Sequence, residues 1–156
     1  MSQAESSLRG TFAAATMLSV VLGVVGCTGM DTPAPPAGPA LYDRLGGKAS
    51  IPAVVDQFVA NVAGDKRING RFGTTDIPRL KGHLVDQVCM ATGGPCTYTG
   101  RTMKATHAGM RISHAEFGAL VEDLVAALDT FKVPQKEKSE LLGLLGPMNK
   151  DIVEVP

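Results

Sequence analysis

Apolar side chains recurring at helical spacing, in blocks cut by glycine, constrain this chain to a helical fold. Ile51, Val54, Val55, Phe58 and Val62 fall at i, i+3, i+4, i+7 and i+11, which puts them on one face of a helix. Ser50 is placed to cap that helix and Gly64-Asp65 to end it. Just upstream, Tyr42-Asp43-Arg44-Leu45 reads as a short helix stopped by Gly46-Gly47. A second stripe, Ile77, Leu80, Leu84, Val85 and Val88, is opened by Thr75 or Asp76, with Pro78 tolerated in its first turn. Ser113-His114-Ala115-Glu116 has the form of a capping box. It opens the strongest stripe, Phe117, Leu120, Val121, Leu124, Leu128 and Phe131. Pro134 starts a last helix carrying Leu141, Leu142, Leu144 and Leu145, which stops at Gly146-Pro147. No strand alternation appears, so the expectation is an all-α domain of four sizeable helices plus short segments.

The 156 residues suffice for one domain with a proper core. Formal net charge is zero and Lys and Arg form no cluster. That gives no support to a nucleic-acid partner or to a charge-driven grip on a membrane. The amino-terminal part reads differently. Phe12 to Gly26 is apolar or small, broken only by Thr16 and Ser19. It is short for a transmembrane helix and matches a signal-peptide core. It ends at Val24-Val25-Gly26-Cys27, which resembles a bacterial lipoprotein box, although Leu is the commoner residue where Val24 stands. That resemblance implies a signal peptide over 1–26 and a lipid on Cys27. The alternatives are an ordinary signal peptide or an uncleaved anchor. Pro33, Pro35, Pro36 and Pro39 then make 27–40 an extended tether, and the folded domain is expected over 41–153.

Within a simple bundle, the segment between Gly93-Gly94-Pro95 and Ser113 would be a surplus loop, and such loops are usually functional. It carries Tyr98-Thr99-Gly100, Met103-Lys104 and, at its end, His107. A histidine after a glycine-rich break in a helical chain, with Phe72 and His83 upstream, is a candidate haem ligand. Haem needs an axial imidazole, a flat apolar slot and an aromatic ring to pack on it. His107 supplies the first and Phe72 the last. Leu80, Leu84, Val88, Met103, Phe117 and Leu120 can line the slot.

Taken together, Leu41-Tyr42-Asp43-Arg44-Leu45-Gly46-Gly47, Phe72, Arg79-Leu80-Lys81-Gly82, Gly93-Gly94-Pro95, Tyr98-Thr99-Gly100, Met103-Lys104 and His107 make the chain similar to the group I truncated haemoglobins. The resemblance runs from Leu41 to about Val153. It implies a truncated globin fold, a two-over-two helical sandwich around haem b. It also implies that His107 is the proximal iron ligand and Phe72 the ring-stacking phenylalanine. Many members have a tyrosine in the second helix and a polar residue on the facing helix. Here the aligned positions hold Val59, Leu80 and Leu84. An apolar pocket offers bound dioxygen little hydrogen bonding, which argues against slow oxygen release and efficient nitric oxide dioxygenation.

His83 is then the remaining distal candidate. Some family members have an iron-binding histidine at this position, which would make a bis-histidyl haem. The alternative is a half-exposed side chain near a propionate. Arg79, Lys81 and Lys104 can pair with propionates or simply be solvated. His114 is read as solvent-facing. Cys89 and Cys96 flank the glycine break and can form a disulfide in an exported protein; the alternative is two free thiols.

Three functions follow. The first is reversible binding of dioxygen, nitric oxide or carbon monoxide by a lipid-anchored haem protein outside the cytoplasm. The second is bis-histidyl redox chemistry, with a reductase or other redox partner, or turnover of nitric oxide or peroxide. The third is a haem-free helical module acting in structure or interaction.

Overall fold

The computed structural model describes residues 38–156. The expected signal segment, Cys27 and the tether through residue 37 lie outside the described residues. Seven helices follow in order. They are α1 (Leu41–Arg44), α2 (Gly47–Gly64), α3 (Ile77–Ala91), α4 (Met103–His107), α5 (His114–Thr130), α6 (Gln135–Leu145) and α7 (Asn149–Ile152). Short 3-10 turns cover Asn69–Phe72 and Gly146–Met148. Two small strands, β1 (Ile112–Ser113) and β2 (Val153–Val155), pair in parallel.

Of the α2 stripe, Ile51, Val55, Phe58 and Val62 are buried and Val54 is half-buried; Val59, outside the stripe, is buried as well. Ile51, Val55, Phe58, Val59 and Val62 meet Ala119 and Ala127 of α5, with Leu84, Val85 and Val88 of α3 packed alongside. Alanine at the α5 contact lets the two helix backbones approach closely. A second cluster joins Leu41 of α1, Leu128 of α5 and Leu141 of α6. The pair α2–α3 thus lies across the pair α5–α6, the two-over-two, all-α arrangement. Arg44 ties α1 to α6 through Glu137, at 2.7 Å, and Glu140. Among the described residues no helix is long and apolar enough to cross a membrane.

The two glycine pairs meet in space around one residue. A side chain on Gly94 would run into the Tyr42 ring and the Cys89 sulfur, and one on Gly47 would press on the other edge of Tyr42. The Tyr42 backbone N–H donates to Thr92 O at 2.9 Å. Tyr42 is therefore wedged between the turn that opens α2 and the turn that follows α3.

Several local expectations need correction. Ser50 does not cap α2; the helix begins at Gly47 with Gly46 as its cap. Gly46 and Gly47 both take positive φ, +85° and +55°, so the chain turns directly into the helix with no intervening linker. Asp76 rather than Thr75 caps α3, its carboxylate accepting from the Arg79 N–H at 3.1 Å. The capping box at Ser113 and Glu116 is present as expected. Phe131 and Leu144 are exposed, 44% and 45%. Phe131 falls one residue past the end of α5, where helical periodicity no longer governs direction. As expected, α6 ends at Leu145, just before Gly146-Pro147; a 3-10 turn then leads into α7 and β2, which the sequence did not show. Both strands are too short to show alternation.

Candidate functional site

Helices α2 to α5 border a cavity of about 790 Å³. Phe72, Leu80, His83, Leu84, Met103, His107 and Phe117 all line it, as do Val59, Val88 and Leu120. A smaller cavity of about 280 Å³ shares Phe72, Leu80, His107 and Phe117. Phe117, Leu120 and Leu124 are half-buried and border this space, Leu120 and Leu124 also packing against the core.

His107 is the last residue of α4, a single helical turn started by the Thr102 hydroxyl accepting from the Ala105 N–H at 3.2 Å. Its Nδ1 lies 2.8 Å from Met103 O. A carbonyl oxygen can only accept, so Nδ1 carries a proton, and in the neutral ring the lone pair lies on Nε2. That is the protonation state an imidazole needs to ligate a metal, with ring orientation set by the backbone bond.

Phe72 ends the 3-10 turn after α2, and its neighbour Arg71 anchors that turn. The Arg71 guanidinium donates to Glu116 at 2.8 Å and to Met110 O at 2.7 Å. Glu116 is held below the ordinary carboxylate range, first by the Ser113 backbone N–H and then by Arg71. One charge cluster therefore fixes the Phe72 platform, the α5 amino terminus and the loop after His107 together.

Val59, Leu80 and Leu84, which also line the cavity, carry no hydrogen-bonding side-chain atom. His83 is half-buried and meets the Tyr98 ring edge-on, centroids 5.9 Å apart and planes at 67°. Tyr98 is steadied in turn. Its hydroxyl donates to Arg101 O at 2.9 Å, and its ring lies where a side chain on residue 100 would be, which only Gly100 permits. Gln87, one turn after His83, directs its amide N–H at the sulfurs of Met103 and Met148, each at 3.4 Å. Thioethers are weak acceptors.

Arg79, Lys81 and Arg101 border the cavity, whereas Lys104 does not. Lys81 also pairs with Asp56 at 3.0 Å. His114 is exposed. Cys89 and Cys96 form a disulfide, with Cα atoms 5.8 Å apart. It pins the end of α3 to the loop leading to Tyr98.

Spacing alone did not reveal the bracing role of Tyr98 or the contribution of Met148. Gln87 was legible in principle, since it lies four residues from His83 on the same helix face. Among the described residues no three His, Cys, Asp or Glu side chains converge on one point. The features present fit a haem: one Nε2 lone pair, an apolar slot, an aromatic platform and cationic side chains at the rim.

Fold and pocket together define a shortened, two-over-two globin. The chain belongs to the bacterial-like globin family, whose model matches residues 40–154. It is 39% identical over 113 residues to the group 1 truncated hemoglobin GlbN of Mycolicibacterium paratuberculosis, covering 72% of this chain and 83% of that protein. Among solved structures it resembles the truncated hemoglobin of Tetrahymena pyriformis in its Fe(III) form. The TM-score is 0.71 at 30% identity, covering 74% of this chain and 98% of that one. It also resembles the 2/2 hemoglobin of Synechococcus in the cyanomet state with covalently attached heme. There the TM-score is 0.70 at 30% identity, over the same shares of each chain.

Proposed function

We propose that this protein holds haem b through His107 and reversibly binds a diatomic gas: dioxygen, nitric oxide or carbon monoxide. The observation that carries this reading is the His107 Nδ1–H donated to Met103 O, which leaves Nε2 free beside a cavity also lined by Phe72, Leu80, Leu84, Met103 and Phe117. Haem held by His107 would supply an iron that binds and releases small gases. The chain's residues do the rest. Met103 O orients the imidazole, Phe72 and Phe117 exclude water, and Arg79, Lys81 and Arg101 offer positive charge to the propionates. Val59, Leu80 and Leu84 give a gas no donor, so its retention depends on packing and on His83.

An absorption spectrum of the purified ferrous protein tests the reading. A Soret band at one haem per chain is expected. His107→Ala is expected to lose the haem, or to keep it only with added imidazole. Normal retention with an unchanged ligation spectrum would refute the proximal role of His107, and no Soret band would favour the haem-free helical module.

A second reading rests on His83, which lines the same cavity as His107 and is braced by Tyr98. With His83 as the sixth ligand the protein is suited to electron transfer with a reductase or other redox partner. A low-spin six-coordinate ferrous spectrum that becomes five-coordinate in His83→Ala is the expected signature.

We further propose an exported domain anchored by lipid on Cys27. The lipoprotein-like box supports this, as does the Cys89–Cys96 disulfide, since such bonds persist in oxidising compartments. Labelling with radioactive palmitate in cells, lost in Cys27→Ala, is the expected result.

A further inference from the structure

The loop after His107 is held by a residue far away in the sequence. Gly109 and Arg111 both take positive φ, +79° and +53°, and an arginine rarely adopts that conformation unaided. Their backbone N–H groups point the same way, and both donate to one carboxylate. Gly109 N reaches Glu154 Oε1 at 2.8 Å and Arg111 N reaches Oε2 at 2.5 Å. Between them, Met110 N donates back to His107 O at 3.0 Å.

The placement of Glu154 follows from the register of the small sheet. Ile112 pairs with Val153 and Ser113 with Val155, so two adjacent residues of β1 span three of β2. Glu154 is the extra residue of this bulge, and a bulge re-aims its side chain. Here the carboxylate lies across the mouth of the loop instead of facing a strand partner. Behind it, buried Ile152 of α7 lines both cavities beside His107.

We propose that Glu154 is a positioning residue for His107: by clamping the Gly109–Arg111 loop, it fixes the direction in which the imidazole meets the haem iron. The proposal rests on the haem reading above. Without the clamp, Arg111 relaxes toward negative φ, the loop shifts, and the last residue of the single-turn helix α4 loses its fixed exit. The ring is then held by the Met103 bond, with Arg71 on Met110 O as the remaining tie on the loop, and it can pivot about that bond.

The test uses the full chain loaded with haem and the variants Glu154→Ala and Glu154→Gln. Resonance Raman reads the iron–histidine stretch of the ferrous protein, and excess apomyoglobin captures released haem. Glu154→Ala is expected to shift or broaden the stretch and to speed haem loss about tenfold, the low end for residues that orient a metal ligand. Glu154→Gln, with a single acceptor oxygen and no charge, should fall between. A lower melting temperature with unchanged stretch and unchanged haem loss would overturn the proposal, since it would leave Glu154 a purely structural role. Amide exchange of haem-free protein separates this from failure of the haem reading. If the wild type takes up no haem, faster exchange at Gly109 and Arg111 in Glu154→Ala, with altered His107 ring signals, preserves the clamp. Unchanged exchange sinks it.

Discussion

The two histidines of the cavity are held in opposite ways. His107 sits in a polar frame: its own helix accepts from Nδ1, and Glu154 and Arg71 tie down the loop that follows. His83 shares a helix face with Gln87 and is steadied by the edge of Tyr98; among the described residues its ring makes no hydrogen bond. A hydrogen-bonded ring has one orientation and one tautomer, while a ring held by an aromatic edge can turn at modest cost. The contrast suits one fixed ligand and one adjustable neighbour. Under the haem reading proposed above, a cofactor would be held through His107 while the His83 side stays adjustable.

Removing the imidazoles should expose this asymmetry most. His107→Ala is expected to abolish haem retention, measured by the Soret band after gel filtration, whereas His83→Ala should retain haem and change only its coordination spectrum. Equal haem loss in both would break the comparison. Next comes the tie between the end of α3 and the loop leading to Tyr98. Replacing both Cys89 and Cys96 by Ala is expected to lower stability by about 2–4 kcal/mol, the usual range for a native disulfide. In hydrogen exchange the loss should centre on residues 89–101 and leave Gly109 and Arg111 protected. Gly94→Ala should act at the same end. The new methyl collides with Tyr42 and the Cys89 sulfur, so a urea melt is expected to show a cost of about 1–3 kcal/mol, typical of overpacking.

The smallest effect lies in the polar frame and depends on pH. Glu116 has a lowered pKa in the folded chain, from the Ser113 N–H first and Arg71 second. Its contribution is complete above the unfolded glutamate value of about 4.3 and is lost as pH falls through the lower folded value. Glu116→Gln should therefore show a shallower loss of stability between neutral and acid pH than the wild type. Parallel pH profiles from urea melts would remove Glu116 from the frame.

How much of this was legible in the chain differs between the two sides. The helices announced themselves through Ile51–Val62, Ile77–Val88 and Phe117–Leu128, because burial of one face imposes a period on the residues that form it. The Ser113–Glu116 box was readable because a capping bond spans only three residues. His83 and Gln87 share a helix face, and that too is local arithmetic. The clamp on His107 was not legible. Glu154 acts on backbone N–H groups, which every residue except proline carries, across a parallel pairing of two very short strands. The Tyr98 edge on His83 was equally silent, since a loop has no period to show where its side chains point.

By itself, then, the sequence determined the four long helices, the Ser113–Glu116 capping box and most of the apolar stripes, all set by spacing within a few turns. It also supplied both glycine pairs, but not the reason for them. Only the tertiary structure decided that Gly47 and Gly94 press on the same Tyr42 ring, that Cys89 joins Cys96, and that a bulged strand delivers Glu154 to the loop beyond His107. These are meetings between distant segments. Their geometry comes from how α2, α3 and α5 pack, and no local pattern encodes that packing.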